Sequence, residues 1–361
     1  MNIFERIAKV HTEPFDAVLL TSPVNRRYVT HFPSSAGYVV GTEKHTTYFT
    51  DFRYYESAVR AQKDGVIPSD IEIAEAKGSV WEDIRERLSD AKDVLFEDGS
   101  VTVADCEAMR QKLSGYTLVG GLNTAMISLR RVKTEAELDT ICRAQTVTDM
   151  AFSHIVGFLS DHLGKGLTEA DVAFELEFFM RSHGAEGLAF DTIAVSGTKS
   201  ALPHGVPADV PVGKGFLTMD FGARVDGYCS DMTRTVCIGK PDDKMRDVYD
   251  TVLTAQLKAL DFIAAGKTGK EIDAVARDYI ASRGYDGTFG HSLGHSLGLE
   301  IHERPNFSSG DTTVMPAGAV VSVEPGVYLA GSFGVRIEDI VNITQNGCKN
   351  LTKSPKELLI L

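Results

Sequence analysis

The spacing of apolar and polar residues divides the chain into two parts. Residues 1–130 alternate short apolar runs with amphipathic segments, which predicts an α/β domain around a mixed sheet. Residues 131–361 carry long helical patterns and then a strand-rich, glycine-rich last third. This pattern predicts an α+β domain with helices gathered around an antiparallel sheet. A chain of 361 residues also exceeds the size at which a single core usually keeps growing.

Several elements of both parts can be placed from local signals. In the first part the pattern predicts strands over 16–21, 36–40, 45–50 and 93–96, and helices over 53–63 and 102–113. A Ser or Thr followed three residues later by Glu forms a capping box, which satisfies backbone N–H groups at a helix start. Three capping boxes predict helix starts: Ser79 with Glu82, Thr134 with Glu137, and Thr268 with Glu271.

The most specific local signal is the pair Asp226-Gly227, which lies between two runs rich in β-branched and aromatic residues. It predicts a β-hairpin with these two residues as the turn. In that register Asp220 faces Thr233, and Asp231 is its diagonal neighbour on the same side of the ribbon. Two carboxylates directed at one space repel unless one is protonated or a cation lies between them. An exposed hairpin with two solvated acids is compatible with the same residues.

Two valine-rich segments later in the chain each carry an acid. The alternation in residues 320–324 places Glu324 on the side opposite two valines, and the alternation in residues 334–338 places Arg336 and Glu338 on one common side. An acid in such a strand is costly to bury unless it is paired or binds a metal. A structural ion pair between Glu338 and Arg336 is one alternative.

Three histidines, His291, His295 and His302, lie within twelve residues. Neutral imidazoles near carboxylates are common ligands of transition metals, although a lone histidine is more often structural. One domain thus offers four carboxylates and an imidazole on strands or adjacent loops: Asp220, Asp231, His295, Glu324 and Glu338. Four acids share a site only with about two divalent cations, and an oxygen-rich set with one nitrogen suits Mn²⁺, Co²⁺ or Zn²⁺.

Composition and charge exclude some partners and compartments. A net charge of −13 argues against nucleic acid or an anionic membrane as a partner. The five cysteines include no C-x-x-C pair, which predicts free thiols in a reducing compartment. We also find no apolar stretch of signal-peptide or membrane-spanning length, so a cytoplasmic protein is expected.

Five motifs hold the candidate ligands: Met-Asp220-Phe-Gly, Cys-Ser-Asp231-Met-Thr-Arg-Thr, Gly-His295-Ser-Leu-Gly-Leu-Glu-Ile-His302-Glu, Val-Glu324-Pro-Gly and Arg336-Ile-Glu338-Asp. In these motifs the chain resembles the pita-bread metallopeptidases, and within them the Xaa-Pro dipeptidases (prolidases) and aminopeptidase P. Residues 1–130 resemble the creatinase-type N-terminal domain. The resemblance implies a creatinase-like α/β domain over 1–130 and a pita-bread catalytic domain over 131–361.

The resemblance also implies a metal role for each candidate ligand. Asp220 would chelate one ion, while Asp231 and Glu338 would bridge two ions. His295 and Glu324 would complete the second ion, and Glu324 would also carry protons for the water that attacks the substrate. Manganese is the ion that the resemblance favours, with cobalt or zinc as alternatives.

The resemblance implies further roles in the substrate pocket. His204, in Ala-Leu-Pro-His-Gly, and His302 match catalytic histidines that steady the tetrahedral intermediate and the leaving group. His291 matches a substrate-binding histidine of aminopeptidase P. Arg336 would orient Glu338 and belongs to the same substrate-binding set. A homodimer is expected as well, because relatives are commonly homodimers.

The expected substrate is a small peptide with proline in second position. The bond before proline is a tertiary amide without an N–H, and the departing nitrogen must be protonated. Dipeptidases of the family often carry an arginine four residues after the second histidine, to hold the free carboxylate of the dipeptide. Asn306 occupies that position here, so longer Xaa-Pro peptides are expected alongside dipeptides.

Three other interpretations use the same folds. A creatinase-like amidinohydrolase shares both domains but lacks the acidic ligand set. A non-catalytic interaction module on this fold loses the ligands. A methionine aminopeptidase lacks the creatinase-type N-terminal domain.

Overall fold

The computed structural model describes residues 1–361 of the protein. The chain forms two compact units, Met1–Arg130 and Arg131–Leu361. No helix is both long and apolar enough to cross a membrane. All five cysteines are free thiols, as their spacing predicted.

The first unit is built on a six-stranded mixed sheet. Its strands are β1 (Ala17–Leu20), β2 (Tyr38–Thr42), β3 (Thr46–Thr50), β4 (Ile71–Glu75), β5 (Asp93–Phe96) and β6 (Thr117–Val119). The strand order is β4-β3-β2-β1-β5-β6, and only β2 runs against the others. The alternation of strand and helix signals therefore predicted the mixed α/β architecture correctly.

The helices of this unit connect or flank the strands. They are α1 (Ile3–Ala8), α2 (Pro23–Thr30), α3 (Phe52–Lys63), α4 (Val80–Arg87), α5 (Val103–Lys112) and α6 (Leu122–Arg131). Helix α4 begins after Ser79 as predicted, but the capping box there is wrong, because the Ser79 side chain makes no capping hydrogen bond. The first-turn N–H groups of α4 therefore have no side-chain cap from Ser79.

The second unit contains four long helices. They are α7 (Glu135–His162), α8 (Glu169–Ser182), α9 (Asp243–Phe262) and α10 (Gly269–Ile280). The predicted capping boxes at Thr134 and Thr268 both form. Helices α9 and α10 contribute apolar side chains to one core, and α7 and α8 contribute to a second core against the strands around Leu217 and Met219.

The strands of the second unit form several small sheets. They are β7 (Gly187–Leu188), β8 (Ile193–Ser196), β9 (Gly215–Phe221), β10 (Ala223–Val225), β11 (Tyr228–Cys229), β12 (Met232–Ile238), β13 (Gly294–Ser296), β14 (Glu303–Phe307), β15 (Val320–Val323), β16 (Gly326–Leu329), β17 (Phe333–Arg336), β18 (Asp339–Thr344) and β19 (Gly347–Asn350). Every pairing between the strands of these sheets is antiparallel. The α+β prediction for this unit is confirmed.

The predicted hairpin is present with the predicted turn. Asp226 and Gly227 have φ angles of 47° and 89°, which is the sign that a two-residue primed turn requires. Asp220 pairs with Thr233, as the register predicted. The ribbon is split between two sheets, since β9 pairs with β12 and β10 pairs with β11. The split lies at Gly222, where a Cβ atom would come 2.1 Å from the Ser230 carbonyl oxygen.

Candidate metal centre

The second unit contains a cavity of about 410 Å³. Its wall includes every site residue that the sequence singled out: His204, Asp220, Asp231, His291, His295, His302, Glu324, Arg336 and Glu338. The structure therefore brings together side chains that are up to 134 positions apart in the sequence.

Ends of strands position the acidic side chains. Asp220 lies on β9, and Asp231 immediately precedes β12, so the hairpin register brings the two aspartates to neighbouring positions. Glu324 directly follows β15, and Glu338 directly precedes β18. Since β15 and β18 are paired, the two glutamates lie at the same end of one ribbon.

The imidazole of His295 faces two of these acids. Its Nε2 lies 3.5 Å from Asp231 Oδ2 and 3.4 Å from Glu324 Oε1. Its Nδ1 lies 3.2 Å from the Ser296 carbonyl oxygen, which can only accept a hydrogen bond. Nδ1 therefore carries the proton, and in the neutral ring the lone pair of Nε2 points at carboxylate oxygens.

The distances from His295 Nε2 to the Asp231 and Glu324 oxygens match the spacing between two ligand atoms of one metal ion. Two N or O atoms bound to one cation at about 2.1 Å lie roughly 3.0–3.5 Å apart. Ligand atoms of Asp231, His295 and Glu338 all lie within 4.8 Å of one another. The donor set thus fits a divalent ion of the transition series.

Two carboxylate oxygens of the cavity are buried without any hydrogen-bond partner, Asp220 Oδ1 and Glu338 Oε1. The other oxygen of each group is held, because Arg336 contacts Asp220 Oδ2 at 2.7 Å and Thr233 Oγ1 donates to Glu338 Oε2 at 2.7 Å. A buried polar atom without a partner costs about 1–3 kcal/mol, and more when it is charged. A cation in the cavity would remove this cost for both oxygens.

Burial and crowding make the acids hard to ionise without a cation. Burial, together with the neighbouring acids, raises the pKa of Asp231 and of Glu338 well above their usual values. Burial raises the pKa of Glu324 to about 8, assisted by the charge of Asp220. Burial also lowers the pKa of His295 to about 4, which keeps the ring in its neutral, metal-binding form.

The alternative of a structural ion pair between Arg336 and Glu338 is wrong. Arg336 does not pair with Glu338; its Nη2 donates to Asp220 and its Nε donates to Thr233 Oγ1 at 3.0 Å. Arg336 and Glu338 do lie on one common side, as the alternation predicted, because both line the cavity while Val335 and Ile337 lie in the core. Thr233 is the residue that orients Glu338, and Arg336 acts on it only through this hydroxyl.

The pocket histidines differ in their surroundings. His291 Nδ1 lies 2.8 Å from the Ser292 carbonyl oxygen and its Nε2 lies 2.8 Å from the Tyr328 hydroxyl. Burial lowers the pKa of His291 to about 4. His302 is exposed at the cavity wall, with its ring 4.4 Å from that of His295.

Sequence reasoning missed Tyr328. Its hydroxyl accepts from Arg336 Nη1 at 2.9 Å and contacts His291, so it joins the group that holds Asp220 to the pocket histidine. No local sequence pattern indicates this role, because the pairing of Gly326 with Arg336 across the β16–β17 ribbon, which brings Tyr328 close to Arg336, is a feature of the fold.

Comparisons with known proteins agree with the fold. A sequence model of the metallopeptidase family M24 matches residues 139–345. The chain belongs to this family. A model of the creatinase/prolidase N-terminal domain matches residues 6–132 of this M24 peptidase. The predicted resemblance and the two-domain fold class are confirmed, and the non-catalytic alternative is excluded.

Full-length relatives are similar to this M24 peptidase over both units. An Xaa-Pro dipeptidase of Pyrococcus furiosus is 37% identical over 358 residues, which are 98% of this chain and 99% of that protein. The structure of an Xaa-Pro dipeptidase from Bacillus anthracis is 40% identical, with a TM-score of 0.93 over 99% of this chain and 98% of that one. An X-Pro aminopeptidase from Thermotoga maritima is 35% identical, with a TM-score of 0.90 over 99% and 100%.

Proposed function

We propose that this M24 peptidase removes the first residue from dipeptides and short peptides that carry proline in second position. Two divalent ions would be held by the five side chains Asp220, Asp231, His295, Glu324 and Glu338. The observation that carries the proposal is their convergence in one cavity with two unpartnered carboxylate oxygens. Relatives named as Xaa-Pro dipeptidase and X-Pro aminopeptidase support the choice of substrate.

Bound ions would supply Lewis acidity for the scissile carbonyl and lower the pKa of the attacking water. Glu324 would take up the proton of that water. Ser322 Oγ donates to Glu324 Oε1 at 3.0 Å, which fixes the carboxylate and leaves Oε2 for proton transfer. An ionised carboxylate beside the bound water can accept its proton and later return it.

The leaving nitrogen of proline becomes a secondary amine and must gain a proton as it departs. Glu324 would deliver the proton that it took from water. His204 and His302 would stabilise the charge on the intermediate from the cavity wall. Phe190, Ile193 and Ile301 make part of the same wall apolar, which suits the ring of proline.

We infer that longer Xaa-Pro peptides are cleaved at least as well as dipeptides. Asn306 lines the cavity at the position where many dipeptidases carry arginine. A neutral amide offers the carboxylate of a dipeptide no charge, and it leaves room for a further residue. Arg304 is exposed and does not line the cavity.

The experiment compares Xaa-Pro, Xaa-Pro-Yaa and Xaa-Ala peptides side by side. The chelated enzyme is reloaded separately with Mn²⁺, Co²⁺ or Zn²⁺, and cleavage is expected only in the metal-loaded samples. Equal cleavage of Xaa-Ala would refute the proline preference. The variant Asn306→Arg should shift kcat/KM towards dipeptides, while exclusive dipeptide cleavage by the unmodified enzyme would refute the inference about chain length.

The proposal also includes manganese as the ion and a homodimeric assembly, both from the family resemblance. A cytoplasmic location belongs to it through the cysteine pattern. Metal content after growth in ordinary medium and analytical ultracentrifugation test the first two directly. A monomer at every concentration would refute the homodimer without affecting the proposed reaction.

A further inference from the structure

The first unit contains a cavity of about 760 Å³, larger than the one that holds the acids. Its wall is formed by loops that follow β1, β3, β4 and β5, at residues such as Thr21, Asp51, Gly78 and Val101. These strands run in the same direction, so the cavity lies at the edge where their carboxyl ends meet.

The sheet topology makes this edge a natural binding crevice. The connection from β3 leads outward to β4 at one edge of the sheet, and the connection from β5 leads outward to β6 at the other. Ligands of open α/β sheets bind where successive connections leave in opposite directions, outside the carboxyl ends of the strands. The cavity volume also lies within the usual range for small-molecule sites, about 300–1,000 Å³.

One buried cation in the wall has no carboxylate among its hydrogen-bond partners. Arg26 is only 3% exposed, and its guanidinium donates to the carbonyl oxygens of Thr21 and Ser34 but to no carboxylate. Its Nε has no acceptor. The carboxylate of Glu97, which acts on Arg26 electrostatically, is already bound by the backbone N–H of Ser22 and by Asn25. A buried guanidinium normally faces an anion.

Other groups of the wall extend this picture. Thr50 is 1% exposed, and its Oγ1 also lacks a partner. Lys112 is a second cation of the wall. Of the acids in the wall, Asp51 is neutralised by Arg53 and Asp105 is exposed. The group of the wall that most lacks a partner is therefore the Arg26 guanidinium, and an anion in the cavity would supply one.

An aromatic surface completes the wall. The rings of Tyr38 and Trp81 lie 5.1 Å apart, and Phe49 and Met109 add further apolar area. A flat ring packs well against such a surface. We propose that this cavity binds a small organic anion, a carboxylate or phosphate joined to a flat ring, with the anionic group on Arg26 and the ring against Trp81.

Trp81 is the only tryptophan of the chain, so its fluorescence reports on this cavity alone. The full-length protein is titrated with phenyl phosphate and with 3-phenylpropionate, and the heat of binding is measured in parallel. We expect saturable fluorescence changes with at least one of the two. Preference for one identifies the anionic group, and either result supports the proposal. Three comparison compounds separate ring from charge: the neutral 3-phenylpropionamide, inorganic phosphate and acetate.

Variants then test the guanidinium. Arg26→Met should weaken binding of the anionic probe at least about tenfold, as expected for a lost charge-assisted hydrogen bond. Arg26→Lys keeps the charge and should lose less. The matched control is Arg110→Gln, since Arg110 is exposed on α5 and does not line the cavity; it should bind like the unmodified protein.

Several outcomes would overturn the proposal. One is the absence of any fluorescence change or heat up to about 10 mM probe. Another is equal binding of 3-phenylpropionate and the neutral 3-phenylpropionamide. This comparison uses the unmodified protein, so it holds even if Arg26→Met does not fold. A third is a Trp81 signal that depends on protein concentration but on no probe, which would show that a second copy of the chain covers the cavity.

Discussion

At the scale of single side chains, the candidate metal centre contains two carboxylates that are each held at one oxygen only. Arg336 fixes one oxygen of Asp220, and Thr233 fixes one oxygen of Glu338. The remaining oxygen of each group is buried without a partner, and burial raises the pKa of Asp231 and Glu338. Binding geometry is thus set before a cation arrives, at the cost of electrostatic repulsion in its absence.

The substitution Asp231→Asn tests both the preset binding geometry and the repulsion between the acids in the absence of a cation. It keeps the shape but removes a charge that the cations require, so bound metal should fall below two ions per chain and turnover should fall at least about 100-fold. The metal-free protein should become more stable at pH 8, because one repelling charge is gone. Elemental analysis after dialysis and thermal unfolding measure the two effects.

Asp226→Asn is the matched control for that substitution. Asp226 lies in the exposed turn of the same hairpin, at a positive φ that Asn tolerates. Metal content and turnover should not change in this variant. Unchanged metal content in Asp231→Asn itself would mean that Asp231 is not a ligand.

Thr233→Val tests the hydroxyl that orients Glu338. Valine has nearly the same shape but can neither donate to Glu338 nor accept from Arg336. Loss of such an orienting contact typically costs 10–100-fold in metal affinity or activity. Thr233→Ser restores the hydroxyl and should recover most of the loss, as measured by kcat and by metal titration. Equal activities of the two variants would show that the hydroxyl is not needed.

At the scale of elements, strand pairing brings the ligands together. The Asp-Gly turn fixes the register of the hairpin, so the positions of Asp220 and Asp231 could be predicted from the sequence alone. The valine alternation likewise placed Val323 and Val335 in the core. These features are local, because a turn type and a period of two determine them.

Features that depend on contacts distant in sequence could not be predicted in this way. The pairing of Arg336 with Asp220 joins residues that are 116 positions apart, and no local pattern specifies it. The failed capping box at Ser79 shows that a motif does not ensure its hydrogen bond. The sequence motifs supplied the five candidate ligands and the family resemblance supplied their expected roles, whereas the contacts around them required the fold.

The close packing of strands β13 and β15 beside His295 can be tested by a substitution. A Cβ atom on Gly294 would come 1.9 Å from the Ser322 carbonyl oxygen, so strands β13 and β15 would have to separate. Gly294→Ala should lower stability by about 1–3 kcal/mol, as overpacking does. It should also lower metal affinity, because His295 is the next residue.

Gly290→Ala is the control, since a Cβ there meets nothing within 4 Å. Its stability and metal affinity should stay close to those of the unmodified protein. Chemical denaturation measures the stability of both variants, and metal titration measures their metal affinity. If Gly294→Ala behaved like Gly290→Ala, the two strands would not need their close contact.

At the scale of the whole molecule, the chain carries a net charge of −13 and concentrates part of it in one buried cavity. The metal-free and metal-loaded proteins differ mainly in these acids. The difference in their stability therefore isolates the titration of the site, because every other group contributes almost equally to both forms.

The direction of this pH dependence follows from the raised pKa values. Burial raises the pKa of Glu324 from 4.5 to about 8, and the pKa values of Asp231 and Glu338 are also raised. The folded metal-free protein thus holds protons that the unfolded chain has lost, so its stability should fall as the pH rises from about 4.5 towards 8. Metal-loaded protein holds these groups ionised and should not show this fall.

The gap in melting temperature between the metal-free and metal-loaded proteins should therefore widen as the pH rises over that interval. Metal binding at pH 7 should also release protons, which calorimetry in buffers of different ionisation enthalpy can measure. A constant gap together with no proton release would show that the acids are already ionised without metal, and the proposed electrostatic origin of the metal affinity would be wrong.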